Sequence, residues 1–279
     1  MTLFVVATPI GNLEDLSPRA RRVLGEVDLV VAEDTRRTRE LLTHFSLSRP
    51  LFSLPAFAER DRVSPLVERL RSGQSLALVT DAGTPAVSDP GAKLVDAALD
   101  AGVAVVPIPG PSAAVAALSA SGLDSSRFLF LGFLPRKGDA RRAALGEVAR
   151  SGVTAILYEA GNRTGETLAD LSRALGPRRA AVARELTKVH EEVVRGPLPE
   201  LAERFAAGAR GEVVIVVEGG REPSPEAEAL PPLDEAIRER LAAGEHVGDI
   251  AKALARDYRL PRQEVYARVL ALKDASHPP

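Results

Sequence analysis

The chain has 279 residues, a hydrophobic fraction of 45%, a formal net charge of −2 and no cysteine. Its length exceeds what one hydrophobic core usually organises, so two domains are expected. The lack of cysteine excludes disulfides and cysteine nucleophiles, and the widely separated histidines give no ligand spacing, so no metal is expected. No apolar run approaches the roughly 18 residues of a membrane span, and no basic leader precedes the first strand. We therefore expect a cytoplasmic protein with no membrane contact, in which any nucleic-acid partner needs a local basic face.

The first 120 residues alternate between predicted strands and helices. A helix is expected to begin at Ser17-Pro18, since proline at the first helical position gives up no bonded N–H. Such alternation is typical of a parallel sheet that helices cover on both faces. The predicted strands are 3–7, 28–33, 51–54, 76–80 and 104–108, and the predicted helices are 19–27, 36–45, 63–70, 92–99 and 113–120.

A second domain is predicted after a Ser- and Gly-containing break at 119–127. Two consecutive apolar runs without a helix between them, 180–186 and 191–195, favour a hairpin and therefore a mixed sheet. The remaining predicted strands are 128–134, 154–159 and 212–218, and the predicted helices are 140–150, 165–175 and 198–207. We thus expect an α/β fold with domains at 1–120 and 121–220, and with a parallel-rich sheet in the first and a mixed sheet in the second.

The last part of the chain predicts a linker at 221–232, rich in Pro and Glu, and a helical tail at 233–279. Helices are predicted at 233–243, 247–258 and 262–273, an arrangement that resembles a helix-turn-helix. Arg262, Gln263 and Arg268 would then face nucleic acid; a helical cap or a dimer contact is the alternative. The predicted core of this tail is Ile250, Ala251, Leu254, Val265, Val269 and Leu270.

Three loops share one design, at 8–12, 81–85 and 109–113. Each leaves an apolar run, turns on Gly and Pro, and enters a helical pattern, so all three are expected at the carboxyl edge of one parallel sheet, where such sheets bind ligands. The chain has no GxxxxGK[ST] or GxGxxG phosphate cradle. The three loops instead offer apolar surface from Pro and Ala, together with backbone N–H groups and a few hydroxyls. Such a surface suits a nucleoside sulfonium. Asp81 can accept from ribose hydroxyls or form an Asx turn, and Ser112 can offer a hydroxyl or only cap a helix.

Seven motifs, in order, resemble those of the tetrapyrrole methylase superfamily. Within it, the chain is similar to the methyltransferases that use S-adenosylmethionine to methylate a ribose 2′-hydroxyl of a cytidine in small-subunit ribosomal RNA. The resemblance covers residues 3–219 almost continuously. The motifs are TPIGN at 8–12, AEDTR at 32–36, DAGTP at 81–85, DPG at 89–91, PGPS at 109–112, GFLP at 132–135 and ARELTK at 183–188.

This resemblance implies a two-domain enzyme, usually a homodimer, that binds S-adenosylmethionine in the cleft between its domains. Two segments depart from the family pattern. Residues 53–59 replace a stretch that is often His-rich, and Glu159-Ala-Gly-Asn-Arg163 stands where Glu-Ser-Pro-His-Arg is usual. The donor-binding positions that the family pattern implies are Pro9, Ile10, Asp81, Thr84, Ser112, Ala113, Tyr158 and Ala183.

Methyl transfer to a ribose hydroxyl needs alignment, and a general base helps because the hydroxyl is a poor nucleophile. Glu185 and Lys188 are the predicted catalytic residues, and Glu33 and Asp34, after the second strand, are further candidate bases. Lys188 can serve only if burial or a cation such as Arg184 lowers its pKa. The alternative for this group is a solvated set of ion pairs, or contacts to RNA phosphates.

Basic residues near the expected cleft favour a large anionic substrate. Ribosomal RNA or the small ribosomal subunit is therefore the expected partner. Two rivals stay open: a small-molecule methylase of corrinoid or porphyrin precursors, and a non-catalytic RNA-binding protein of ribosome assembly. The candidate RNA-binding residues are Arg36, Arg37, Arg136, Lys137, Arg141, Arg184 and Arg262.

Overall fold

The computed structural model describes residues 1–220, 232–258 and 260–275. The chain divides into two compact units, 1–220 and 221–279. Residues 221–231 of the predicted linker and 276–279 of the predicted tail lie outside the described residues. In the part of the chain that the structure describes, no helix combines the length and the apolar character needed to cross a lipid bilayer.

The first sheet has five parallel strands in the order β3-β2-β4-β1-β5. Its strands are almost wholly apolar because both faces are covered. Neighbouring residues of one strand enter different cores: Leu29 and Val31 lie in one apolar cluster, Val30 and Ala32 in another. The strands are β1 (Thr2–Val6), β2 (Leu29–Ala32), β3 (Leu51–Ser53), β4 (Ser75–Val79) and β5 (Ala104–Ile108), and the helices are α1 (Pro18–Glu26), α2 (Thr35–His44), α3 (Glu59–Arg71), α4 (Ala92–Asp100) and α5 (Ala113–Ser121).

Side-chain caps hold the starts of α1 and α4. Helix α1 begins as predicted, with Pro18 as its first residue and the Ser17 hydroxyl accepting from the Ala20 N–H at 3.1 Å. Helix α3 begins at Glu59, four residues before the predicted start at 63. The buried Glu59 carboxylate accepts the N–H groups of Gly91 (2.8 Å) and Lys93 (3.0 Å), so it satisfies the first turn of α4 from a distant part of the chain.

The second sheet is mixed, with the order β6-β7-β10-β8-β9. Strands β6 and β7 are parallel and the other pairs are antiparallel, and β8 and β9 form the predicted hairpin. The predicted α/β fold class, with a parallel first sheet and a mixed second one, is confirmed. The strands are β6 (Phe128–Phe133), β7 (Thr154–Ala160), β8 (Arg179–Arg184), β9 (Glu192–Pro197) and β10 (Glu212–Val217), and the helices are α6 (Gly138–Arg150), α7 (Thr164–Leu175) and α8 (Leu198–Arg204).

Helix α5 joins the two sheets. It follows the last strand of the first sheet, yet Ala114, Ala117 and Leu118 are buried against Ile156 and Val214 of the second. The opposite face of the second sheet packs on α6, α7 and α8. The predicted domain boundary near residue 120 stays a prediction, because the contacts join residues 1–220 into one unit.

Residues 221–279 form the second unit, whose described helices are α9 (Leu233–Ala242), α10 (Val247–Asp257) and α11 (Arg262–Ala275). Five of its six predicted core residues are buried. The sixth, Leu270, is 38% exposed, and its prediction was wrong. Val265 and Val269 are four residues apart and share the buried face of α11, whereas Leu270 is turned about 100° away from it. The tail's buried residues are Ile250, Ala251, Leu254, Val265 and Val269.

Candidate active site

The three Gly- and Pro-containing loops meet, as predicted, at the carboxyl edge of the first sheet. Thr8 and Gly83 exchange two backbone hydrogen bonds, of 2.8 and 3.0 Å. The Thr84 hydroxyl donates to the Pro111 carbonyl at 3.2 Å, which fixes the second loop to the third. The loops are therefore held in place by one another.

The first loop also contacts the segment that follows β8. A Cβ added to Gly11 would lie 2.8 Å from Lys188 Cγ and 2.9 Å from the Leu186 carbonyl oxygen. Glycine is therefore required at this position, because backbone approaches backbone more closely than a side chain allows. Ile10 beside this glycine, and Leu186 and Lys188 of the facing segment, line a cavity between the two sheets.

The cavity has a volume of about 620 Å³ and is lined from both sheets. Its size lies in the range of small-molecule sites. Of the ten residues predicted for donor binding and catalysis, only Pro9 does not line it; Pro9 is buried beside a neighbouring depression. The other nine are Ile10, Asp81, Thr84, Ser112, Ala113, Tyr158, Ala183, Glu185 and Lys188.

Backbone strain is concentrated around this cavity. Among the described residues, five other than glycine have a positive φ, and Ala86, Ser88, Glu185 and Thr187 account for four of them, with φ from 50 to 67°. Such conformations cost of the order of 1–3 kcal/mol each and cluster at functional sites. Ser88 and Glu185 line the cavity directly. The strained residues thus fall on the two loops that face each other across it.

Tyr158 connects the second sheet to the start of α5. Its hydroxyl oxygen accepts the Ala114 N–H at 3.2 Å and is hydrogen-bonded to the Ser112 side chain. Burial raises the pKa of this phenol, so it stays neutral. Ser112 stands at the N-cap position of α5 but makes no side-chain capping bond, so the alternative of a pure helix cap does not describe it. The edge of the Phe133 ring covers Tyr158, with 5.6 Å between ring centroids.

The cavity is rich in negative charge. Asp81 is anchored on both oxygens, since Oδ1 accepts the Asp34 N–H at 3.1 Å and Oδ2 lies 3.5 Å from the Arg37 guanidinium. This surplus of carboxylates suits a ligand that carries positive charge. The charged lining consists of Glu33, Asp81, Asp89, Glu185 and Glu212 against Arg37 and Lys188. Among the described residues, no group of three His, Cys, Asp or Glu side chains is arranged to hold a metal ion.

Two carboxyl groups in the cavity share one hydroxyl. The oxygen of Thr80 lies 3.1 Å from Glu33 Oε2 and 2.8 Å from Asp89 Oδ2. Burial is the main cause that raises the pKa of both carboxyls. Thr80 and Asp89 are absent from the predicted site residues, although Thr80 directly follows a strand and Asp89 lies in the DPG motif. Position after a parallel strand is the signal that finds Glu33 and Thr80.

Glu185 and Lys188 form an ion pair, with 3.0 Å between Lys188 Nζ and Glu185 Oε1. The Lys188 side chain is 44% exposed, so the burial that a lysine base requires is missing. Nor does Arg184 act on Lys188 as a free cation, since its guanidinium lies 2.5 Å from a Glu192 carboxylate oxygen. This geometry favours positioning over proton transfer for the pair.

Four of the predicted RNA-binding arginines and lysines are exposed in the first unit. The Arg36 guanidinium holds the Asp34 carboxylate at 2.6 Å, and this bond is the main cause that lowers the pKa of Asp34 to about 2. Arg37 lines the cavity itself. Arg136 lies in a second depression, beside Phe133, and Lys137 follows it at the start of α6.

Arg141 does not join this exposed set. It is 5% exposed, and its guanidinium donates to the Asp170 carboxylate (2.7 Å), the Thr167 hydroxyl (3.0 Å) and the Pro135 carbonyl (3.1 Å). A phosphate contact needs a guanidinium that solvent reaches, so the prediction that Arg141 binds RNA is not supported. The residue instead ties the GFLP segment to α7.

In the second unit, Arg262 opens α11 and is exposed. Arg268 forms a bidentate ion pair with Asp234 of α9: Nε lies 2.8 Å from Oδ1 and Nη2 lies 2.7 Å from Oδ2. The guanidinium of Arg268 is therefore engaged in an ion pair within its own unit, whereas Arg262 stays a predicted RNA-binding residue.

Proteins with this fold and cavity form a known class, and the family model that matches most of this chain identifies it as a class of methylases. The chain belongs to the family of Tetrapyrrole (Corrin/Porphyrin) Methylases, whose model matches residues 2–202. Solved structures share the fold: a Uroporphyrin III C-methyl transferase from Thermus thermophilus superposes with a TM-score of 0.58 at 19% identity, over 78% of this chain and 97% of that one. A uroporphyrin-III C-methyl transferase of the same organism, complexed with S-adenyl homocysteine, gives 0.55 at 20% identity, over 77% and 97%.

Curated relatives identify the branch of the family. A Ribosomal RNA small subunit methyltransferase I from Xylella fastidiosa is 54% identical over 222 residues, which cover 78% of this chain and 81% of that protein. The protein of the same name from Halalkalibacterium halodurans is 44% identical over 271 residues, which cover 95% and 93%. The resemblance inferred from the seven motifs is thereby confirmed.

Proposed function

We propose that this protein transfers a methyl group from S-adenosylmethionine to the ribose 2′-hydroxyl of a cytidine in small-subunit ribosomal RNA. The acid-rich cavity of about 620 Å³ between the sheets supports a cationic methyl donor. Exposed arginines and a lysine in the same unit support an RNA substrate. The name that the curated relatives share points to the same substrate, and an enzyme acting on ribosomal RNA would work in the cytoplasm.

The residues around the cavity fit such a donor. Ile10, Ala113 and Ala183 offer apolar surface for a flat base, and the carboxylates offer acceptors for ribose hydroxyls and counter-charge for a sulfonium. When bound, the donor supplies an electrophilic methyl carbon on a good leaving group. The protein's task is then to hold the ribose oxygen in line with that carbon, and alignment of this kind is worth roughly 7–11 kcal/mol of the barrier.

RNA binding is proposed for Arg36, Arg37, Arg136 and Lys137, with Arg184 and Arg262 as further candidates. Phosphate neutralisation supplies most of the non-specific affinity for a nucleic acid. Because Arg37 lines the cavity, it can hold a phosphate beside the nucleotide that enters. Pro9 is proposed to support the donor through the shape of its loop, and Glu185 with Lys188 to position the substrates. A homodimer, as the family resemblance implies, is proposed as the assembly and is checked by sedimentation.

Methylation of ribosomal RNA from a strain lacking this protein tests the proposal. Purified protein and labelled donor are incubated with naked small-subunit RNA, with assembled small subunits and with free porphyrin precursors. Mass spectrometry of nuclease digests is expected to find one 2′-O-methylcytidine in RNA. Label on the tetrapyrrole alone would replace the proposal with small-molecule methylation. Donor binding by calorimetry without transfer to any acceptor would favour a non-catalytic RNA-binding protein.

A further inference from the structure

The carboxyl groups of Glu33 and Asp89 lie on either side of the Thr80 hydroxyl. The oxygen–oxygen distances are 3.1 and 2.8 Å, and both are hydrogen-bond distances. Thr80 is 3% exposed, so water has little access to its oxygen. Glu33 follows β2, Thr80 follows β4, and Asp89 lies in the loop after β4. Carboxyl groups from two other positions of the chain therefore meet at the Thr80 hydroxyl oxygen.

A count of hydrogens shows that this arrangement is one proton short when both carboxyls are ionised. A threonine hydroxyl has a single hydrogen and can donate to one carboxylate only. The other contact is then a pair of lone-pair oxygens, which repel each other. One added proton, on either carboxyl, turns both contacts into hydrogen bonds. The group of three side chains, which we call the Glu33–Thr80–Asp89 relay, therefore has a defined place for one proton.

The surroundings of the relay favour uptake of that proton. Burial raises the pKa of the Glu33 carboxyl, and the nearby Asp89 and Asp81 charges raise it further. Burial also raises the pKa of Asp89, assisted by Asp81 and by Glu212 from the second sheet. Two groups have the opposite effect: the Thr80 hydroxyl lowers the pKa of both carboxyls, and the Asp81 N–H, which bonds to Glu33, lowers the pKa of Glu33. The remaining charged groups of the cavity are Arg37, Lys188 and Glu185, which are engaged in ion pairs.

We propose that the Glu33–Thr80–Asp89 relay accepts the proton of the substrate hydroxyl during methyl transfer. This inference rests on the proposed function, and it assigns the base to this site rather than to Glu185 or Lys188. The ribose O–H bond breaks as its oxygen forms a bond to the methyl carbon, and the C–S bond breaks with its electron pair going to sulfur. The proton passes to the ionised carboxylate of the relay and later leaves to water. Glu33 and Asp89 are the catalytic residues, and Thr80 is a positioning residue that links them.

The relay makes a prediction about the protein without donor or RNA. A carboxyl whose folded pKa is raised contributes stability below its unfolded pKa, and this stability is lost as pH rises through the folded pKa. An amide imitates the protonated carboxyl, since at either position it can donate to the Thr80 oxygen, and at position 33 it can still accept from the Asp81 N–H. Glu33→Gln and Asp89→Asn should therefore raise the melting temperature at pH 8, by about 2–4 °C. The gain should disappear near pH 4.

Glu26→Gln is the matched control, because it makes the same chemical change at an exposed ion pair outside the cavity. It should leave the melting temperature within about 1 °C of wild type, as expected for a surface pair of little net value. A lower melting temperature for Glu33→Gln and Asp89→Asn at pH 8 would show that ionised carboxylates are what the fold requires, and would overturn the relay.

Rates of a single turnover test the chemical role. With donor and RNA saturating, Glu33→Gln should lose about 100-fold or more in rate, as expected for loss of a general base. Wild-type rates should fall as pH drops through the raised carboxyl pKa and level off above it. Thr80→Val should slow the reaction and shift this pH profile, and Thr80→Ser should restore both.

Affinities measured on the same variants separate the two proposals. Unchanged donor and RNA affinity with a lost rate supports the relay as the base. A raised KM for donor with an unchanged rate and pH profile overturns it and makes the carboxyls donor ligands, while the proposed function stands. If wild type methylates no RNA, the proposed function fails, and the melting experiment still decides whether the relay holds a proton.

Discussion

We expect the Arg141→Met variant to be much less stable than wild type, because the substitution disturbs the part of the first unit built on the second sheet. The guanidinium is buried and makes bonds to Asp170, Thr167 and the Pro135 carbonyl. Methionine keeps most of the length and the apolar stem but leaves these three acceptors without their donor. The change therefore tests whether Arg141 is a structural residue, as its burial indicates, or an RNA-binding one.

The expected loss of stability follows from the partners left behind. Removing one partner of a buried ion pair costs about 3–5 kcal/mol, because the other charge stays buried. Asp170 keeps a second ion pair with the exposed Arg173, and Thr167 still donates to Glu159 at 2.6 Å, so the lower part of that range applies. We expect Arg141→Met to cost about 3 kcal/mol.

Urea denaturation followed by circular dichroism measures this loss. With a slope of about 3 kcal/mol per molar, the midpoint of the first unit's transition should fall by about 1 M. Arg142→Met is the control, because Arg142 is exposed and pairs with the exposed Asp139, and its replacement should cost less than about 1 kcal/mol. RNA affinity measured well below the transition should be equal for wild type and Arg141→Met. Equal small losses for both variants, with weaker RNA binding for Arg141→Met alone, would refute the structural role.

Three further expectations follow from the site. Glu185→Gln and Lys188→Met should each lower affinity for a substrate yet keep a single-turnover rate within about tenfold of wild type at saturation; a loss as large as that of Glu33→Gln would return them to the chemical step. Arg136→Ala combined with Lys137→Ala should reduce the slope of log affinity against log salt by about 1.5, and an unchanged slope would place the RNA elsewhere. Deleting residues 222–279 should weaken RNA binding in a titration while calorimetry finds donor binding intact; equal RNA affinity would reject a role for the tail.

Much of the fold could be predicted because its signals are local. Runs of apolar residues marked the strands, Ser17-Pro18 marked a helix start, and the absence of a helix between 180–186 and 191–195 marked the hairpin. The three Gly- and Pro-containing loops were predicted to converge because parallel strands place their carboxyl ends at one edge. These inferences depend on the residue types of short segments, which a sequence displays directly.

Other features depend on residues far apart in the chain. Helix α3 begins four residues before its own apolar pattern indicates, and its first residue, Glu59, accepts backbone N–H groups at the start of α4. Glu212 enters the cavity from the first residue of an antiparallel strand, a position with no distinctive sequence signal. Arg141 stands among exposed basic residues in the sequence, and only the packing of α6 on α7 distinguishes it from them. Burial of a polar side chain is a property of its neighbours, which the order of residues does not reveal.

The excess of carboxylates around the cavity has a consequence for turnover. If the donor binds here as proposed, it enters with a positive charge at sulfur and leaves as a neutral thioether, so the lining would attract the incoming molecule more strongly than the spent one. At an effective dielectric constant of about 20, one such charge 4 Å from a carboxylate is worth about 4 kcal/mol before solvation is counted. We expect the used donor to dissociate readily, so that the reaction itself clears the site for the next round.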